Sequence, residues 1–203
     1  MSILPTPLTN LIDELGQLPG VGPRTAERYA FHLLRSPKEF NDRLSHLITQ
    51  VQDGVKYCPV TFMLIDADQE VSPLYNDSRR DRKQIAVVEQ PLDVVALEKT
   101  MAFLGVYHVL GGVISPIDGV GPEQLHIAEL LARIKADKAK EIILATNASV
   151  EGESTAMYVQ KLMREQHPKL KITRLARGIP SGVDIEYADQ ITLLRALENR
   201  QSL

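Results

Sequence analysis

Four short runs between residues 85 and 176 are rich in β-branched and other apolar residues without strict alternation: IAVVE (85–89), YHVL (107–110), EIILAT (141–146) and, with the most polar residues, KITRLA (171–176). A strand of that kind has both faces buried. Parallel sheets covered by helices on both sides have this property, whereas a sheet with one wet face alternates apolar and polar residues. Between the runs the apolar residues change to helical spacing, through Val94, Leu97 and Met101, from about Leu125 to Ile134, and through Tyr158 and Leu162. This part of the chain is therefore expected to be an α/β layer with a mainly parallel sheet. The tail ITLLRALENR reads as a closing helical piece.

The first fifty or so residues have a different pattern. Leu8, Leu11, Ile12, Leu15 and Leu18 recur at helical spacing, and a Gly/Pro turn (19–23) leads to a second helix with Ala26, Tyr29, Ala30 and Leu33 on one face. A third helix is expected to start with Ser36 as cap, Pro37 in the first turn and Glu39 completing a capping box. Its apolar face would be Phe40, Leu44, Leu47, Ile48 and Val51. The expected organisation is multi-domain α/β: a helical segment 1–53, a small hairpin 54–78, an α/β domain 79–176 and a C-terminal helical segment 177–203. The chain's 203 residues suffice for two small domains, and 44% hydrophobic with 24% charged residues suits a globular protein without membrane spans. No secretory leader is expected, and a single cysteine fits a reducing cytoplasm. A net charge of -3 argues against indiscriminate coating of nucleic acid but leaves room for a local phosphate site.

One such site is suggested by LPGVGPRTAER (18–28). Gly20 and Gly22 admit backbone angles closed to other residues, and the N–H groups around them, with those opening the next helix, can converge on a phosphate oxygen. Arg24 and Arg28 lie one turn apart on the same helix. From the glycine pair alone, an ordinary turn between packed helices is the simpler reading. The whole string resembles the helix-hairpin-helix motif, which grips DNA backbone without reading bases. A second basic set, Arg79, Arg80, Arg82 and Lys83, either touches phosphates or is a solvated loop. His108 reads as a packed or surface sheet residue.

An acidic set marks the strand ends of the α/β domain: Glu89 after IAVVE, then Asn147, Ser149, Glu151 and Glu153 after EIILAT. This resembles the Toprim fold, with Glu89, Glu151 and Glu153 at acidic positions of that pattern and neutral Asn147 and Ser149 where two aspartates would stand. Neutral oxygens are weak ligands for Mg²⁺, so no catalytic residue is expected, the alternative being a Mg²⁺-dependent Toprim nuclease or nucleotidyl-transfer enzyme. Taken together, LPGVGPRTAERYAFHLL, SRRDRKQIAVVEQPLDVVALEKT, YHVLGGVISPIDGVGP, ILATNASVEGESTAMY and TRLARGIPSGVDIEYAD resemble the RecR family of bacterial recombination mediators over nearly the whole chain. The resemblance implies a non-enzymatic, cytoplasmic, nucleoid-associated repair protein. It would form a homotetrameric ring, bind single- or double-stranded DNA without sequence preference, and act with RecO and RecF to load recombinase at gaps.

The resemblance also implies a zinc knuckle of two Cys-x₂-Cys pairs between the helical and α/β parts. Here those four positions are Cys58, Thr61, Ser72 and Tyr75. One thiol, two hydroxyls and a phenol are not a zinc-binding set, so no cofactor is expected. The degenerate hairpin would then rest on packing by Val60, Phe62, Leu64, Val71, Leu74 and Tyr75.

Overall fold

The structure, a computed structural model, describes residues 3–200, so the first two residues of the expected helical segment and the last three of the C-terminal segment lie outside it. The chain forms two compact units that divide between Val55 and Lys56.

The first unit holds three helices, α1 (Thr6–Gly16), α2 (Pro23–Arg35) and α3 (Lys38–Gly54). Helices α1 and α2 pack closely because small residues face each other, with Ala26 and Ala30 buried beside Leu8, and Gly16 against the Ala26 methyl. His32 and Arg35 in the last turn of α2 suit the negative end of its dipole. The expected cap of α3 does not form. The Ser36 hydroxyl instead donates back to the His32 carbonyl at 2.9 Å, and Pro37 stands at the cap position without a side-chain bond. Asn41 ties α3 to the end of α2 by donating to the Leu33 carbonyl at 2.9 Å. Helix α3 buries no residue fully; Leu47, Ile48 and Val51, expected on its packed face, are 48–63% exposed. Leu8, Leu11, Leu15, Leu33, Leu44 and Ile48 line an open apolar groove of about 580 Å³ in this unit.

In the second unit, β3 (Asp81–Val88), β4 (Gly105–Val109), β5 (Glu141–Leu144) and β6 (Lys171–Arg174) form one sheet in the order β4-β3-β5-β6, with every pairing parallel. Before it come β1 (Val55–Tyr57), which straddles the division between the units and pairs with β2 (Leu64–Asp66), and a single helical turn α4 (Pro73–Asn76). Helices α5 (Pro91–Glu98), α6 (Ile127–Asp137) and α7 (Val150–Gln166) cover the sheet, and α8 (Gln190–Glu198) follows it. The two-sided burial is read directly in β3. Ile85 and Val87 face a cluster with Leu130 and Ile134 of α6 and Val159 and Met163 of α7. Ala86 and Val88 face Val94 of α5, Tyr107 and Val109, with Phe62, Met63 and Leu74 of the hairpin against them.

Three local expectations need correction. Strand β3 begins at Asp81, so Arg82 and Lys83 belong to a strand and not to a loop. Met101 does not continue α5; it is 88% exposed with φ +52°, and the Thr100 hydroxyl ends the helix by donating to the Leu97 carbonyl at 2.7 Å. In the hairpin Leu64 is exposed and its neighbour Ile65 is buried, the opposite face of the strand from the one expected.

Full burial of Ile85 in the central strand leads to a quantitative expectation. Ile85→Ala should lower unfolding free energy by about 2–5 kcal/mol in urea titration. Leu92→Ala, at a side chain that is 77% exposed, should stay within about 0.5 kcal/mol of wild type. Equal effects at the two positions would contradict the two-sided core.

Candidate nucleic-acid interface

The turn into α2 is built by its glycines. Gly20 has φ +78°, a conformation that strains side-chain-bearing residues, and Val21 closes the turn by donating to the Leu18 carbonyl at 3.0 Å. Gly22 is the helix cap, and its carbonyl accepts from Thr25 and Ala26 at 2.9 and 3.0 Å. Pro23 has no N–H. The N–H groups of Gly20, Gly22 and Arg24 have no acceptor among the described residues. Nothing lies within 4 Å of where a Cβ would stand on Gly20 or Gly22, so the turn is open from outside. Arg24 and Arg28 are both exposed; Arg28 rests over the Tyr29 ring at 5.6 Å, and neither forms a salt bridge among the described residues. Three N–H donors without an acceptor among the described residues thus open the positive end of a 13-residue helix whose first turns carry the exposed Arg24 and Arg28.

The second basic set is occupied differently at each position. Arg80 is tied in a two-pronged pair to Glu98 at 2.5 and 3.0 Å and also donates to the Gly105 carbonyl at 3.0 Å, which makes it a bolt between β3, β4 and α5. Arg82 lies over the Tyr75 ring at 4.2 Å and donates to the Tyr75 carbonyl. Arg79 pairs with Asp77 at 2.7 Å, and its hydrogen bonds hold the Asp77 carboxyl down to about 2. Only Lys83 among the four has a side chain with no bond or ion pair among the described residues.

The acidic set is largely held by neighbours within the chain. Both oxygens of buried Glu89 are taken by Asn147: one accepts its backbone N–H at 2.7 Å, the other its side-chain amide at 2.6 Å. Gly152 closes over this clamp, since a Cβ there would stand 2.4 Å from the Asn147 carbonyl oxygen and 2.7 Å from Glu89 Oε1. Ser149 caps α7, accepting from the Gly152 N–H at 3.0 Å. Glu153 accepts two bonds of 2.7 Å from Arg174 and is also paired with Arg177. Burial alone would raise the Glu153 carboxyl, but Arg177 and Arg174 outweigh it and hold the group below its ordinary value. Glu151 is half-buried, and its carboxylate has no hydrogen bond or ion pair among the described residues. A cation at this position would need Glu89 and Glu153 released from partners they already satisfy, and Asn147 and Ser149 are committed to the clamp and the cap. The donor set does not fit Mg²⁺.

The four knuckle positions are equally committed. Cys58 is fully buried, and its sulfur accepts from the N–H groups of Thr61 at 3.4 Å and Ser72 at 3.3 Å. Burial raises the thiol, but these hydrogen bonds together leave it below its ordinary value. Thr61 and Ser72 are buried as well, and Tyr75 turns away to place its hydroxyl 2.6 Å from Asp137 Oδ1. This set does not fit zinc. His108, on β4, is fully buried with Nε2 2.7 Å from the His126 carbonyl, and burial lowers its pKa to about 3, so it stays neutral and structural. Arg174 and Arg177, which neutralise Glu153, carry no signal in the sequence beyond their place in TRLARGIP, because their partner lies 21 and 24 residues earlier and meets them only in the folded sheet.

A glycine-turn helix pair open at its donors, in one chain with a parallel α/β sheet whose acidic strand ends are closed, defines a protein that joins a helix-hairpin-helix to a Toprim domain. Comparison with known families agrees: residues 83–176 match the Toprim domain, residues 8–52 the RecR helix-hairpin-helix and residues 178–201 the RecR C-terminal region. The chain is 51% identical over 197 residues to the recombination protein RecR of Heliobacterium modesticaldum, covering 97% of each. It is 50% identical to those of Moorella thermoacetica, over 98% of each chain, and Thermobifida fusca, over 96% of each. The chain belongs to the RecR family of recombination proteins.

The clamp leads to a prediction. Asn147→Asp replaces an amide donor by a second carboxylate beside Glu89, and two carboxylates sharing one site cannot both stay charged cheaply. The variant should be less stable than wild type at pH 7, by about 1–3 kcal/mol for the missing bond to a buried charge. Protonation relieves the repulsion, so the deficit should shrink as the pH falls toward about 4. A deficit in thermal unfolding that is flat with pH would show that Glu89 does not depend on Asn147.

Proposed function

We propose that this protein grips the sugar-phosphate backbone of DNA through Gly20, Gly22, Arg24 and Arg28, without reading bases, and serves recombination and repair as a non-enzymatic mediator. The observation that carries this reading is the trio of N–H groups at Gly20, Gly22 and Arg24 that have no acceptor among the described residues, at the start of a helix with two exposed arginines. Phosphate contacts of this kind position a protein on DNA and carry no sequence information. Against an enzyme stand the engaged carboxylates of Glu89 and Glu153 and the structural duties of Asn147 and Ser149.

A single turn binds weakly, and a net charge of -3 repels DNA at long range. Useful affinity therefore comes from several copies acting at once, each turn after the first benefiting from high local concentration. The exposed apolar faces support self-association: Leu47, Ile48 and Val51 on α3, and Ile191, Leu194 and Leu197 on α8. A tetrameric ring is the assembly proposed. The α/β domain would meet RecO and RecF, with the unpaired Glu151 as the member of the acidic set open to a partner, and together they would favour recombinase loading at single-stranded gaps. The setting would be cytoplasmic and nucleoid-associated; among the described residues no helix is long and apolar enough to cross a membrane.

Arg24→Ala combined with Arg28→Ala tests the reading in a fluorescence-anisotropy titration. Affinity should fall similarly on unrelated sequences, and the slope of log K against log salt should flatten by about one unit for every phosphate the variant no longer neutralises. Both side chains are exposed, so folding and assembly should be retained. A correctly assembled double variant with unchanged affinity and slope would move the interface elsewhere, with Lys83 and Arg79 as the next candidates.

A further inference from the structure

The fold family implies a zinc ion joining two Cys-x₂-Cys turns, yet this chain has one sulfur, Cys58, among those four positions. We propose that hydrogen bonds to the Cys58 sulfur, together with a clamp on Tyr75, take the place of the metal, so that the folded protein neither needs nor retains zinc.

Three separate observations support this. First, the sulfur joins the same two segments that a metal would join. It accepts from Thr61 in its own turn and from Ser72, 14 residues further on. Second, the hydroxyl residues at the next two ligand positions fill the interior of the knuckle. The Thr61 hydroxyl accepts from the Met63 N–H at 3.5 Å, and the Ser72 hydroxyl sits 3.8 Å from the Met63 sulfur. Zinc would need deprotonated sulfur or neutral nitrogen at these places, and aliphatic hydroxyls provide neither. Third, the fourth position has left the knuckle altogether. The Arg82 and Arg133 guanidiniums lie over the Tyr75 ring at 4.2 and 4.9 Å from its centre, and its hydroxyl donates to Asp137. Arg133 is buried and paired with Asp137 at 3.0 Å, so the tyrosine is held by residues of β3 and α6.

The clamp differs from a metal in what it binds together. Zinc closes the knuckle on itself, whereas Tyr75 fastens it to the sheet domain. The hairpin backbone adds to this, since the Thr61 carbonyl accepts from the Val109 N–H at 2.9 Å, just where β4 ends. Phe62 contributes as well, stacked on His126 with ring centres 3.7 Å apart. Knuckle and sheet should consequently unfold together, in one transition that does not involve a metal.

The test uses the full-length protein. Elemental analysis should find far less than one zinc per chain, and a chelator should leave Tm unchanged; stoichiometric zinc, or a chelator-induced fall in Tm, overturns the proposal without need of any variant. Two conservative pairs then locate the substitute. Cys58→Ala leaves two buried N–H groups without an acceptor and should lower Tm by several degrees, roughly 3 °C or more. Cys58→Ser keeps an acceptor and should recover part of that loss. Tyr75→Phe, which keeps the ring in contact with both arginines, should lose less than Tyr75→Leu. Equal losses within either pair would show that the sulfur acceptor or the contact of the ring with the arginines is not what holds the knuckle.

Discussion

A parallel sheet presents two apolar faces, and the second unit is arranged around covering both. Helices α6 and α7 close one side over Ile85 and Val87. On the other, α5 alone is short, and Phe62, Met63 and Leu74 from the preceding hairpin complete the cover over Ala86 and Val88. The hairpin is thus more than a linker between a helical unit and a sheet: it is one wall of the core. Burial of side chains of this size contributes about 1.5–3 kcal/mol each before entropy is subtracted.

The same economy runs through the strand ends. Positions that in the Toprim pattern gather negative charge around a cation are here satisfied within the chain. Asn147 holds Glu89, Arg174 and Arg177 hold Glu153, and Ser149 caps a helix. Carboxylates that already accept short charge-assisted bonds have little to gain from a metal that must first strip those partners away. The unsatisfied backbone donors of the glycine turn, in the first unit, stand in contrast to this closed set.

Much of the α/β architecture is legible in the sequence because two-sided burial writes itself as consecutive apolar residues, most plainly in IAVVE, whose strand buries Ile85 to Val88. Strands β5 and β6 lie within their runs, whereas β4 and β3 begin before theirs. Spacing locates the helices but not their ends. Ser36 has the letters of a cap and instead closes the preceding helix, because a serine hydroxyl can reach back four residues as easily as forward. Leu64 and Ile65 exchange roles because a three-residue strand has too little alternation to show which face meets the core. The basic set Arg79 to Lys83 is uniform as letters, yet Arg80 and Arg82 have partners 18 and 7 residues away that only folding brings near. The glycine turn needs no distant partner, since its geometry is local, and it is the part of the candidate site that the letters describe most fully.

If backbone N–H groups of this turn meet phosphate, amide hydrogen exchange of the full-length protein, with and without DNA, reports on the very atoms concerned. Exchange at Gly20, Gly22 and Arg24 should slow on adding DNA of any sequence and recover with salt. Asn147 should be unchanged, because its N–H is already held by Glu89. Protection confined to the sheet domain, with residues 20–24 exchanging as before, would contradict a phosphate grip at the turn.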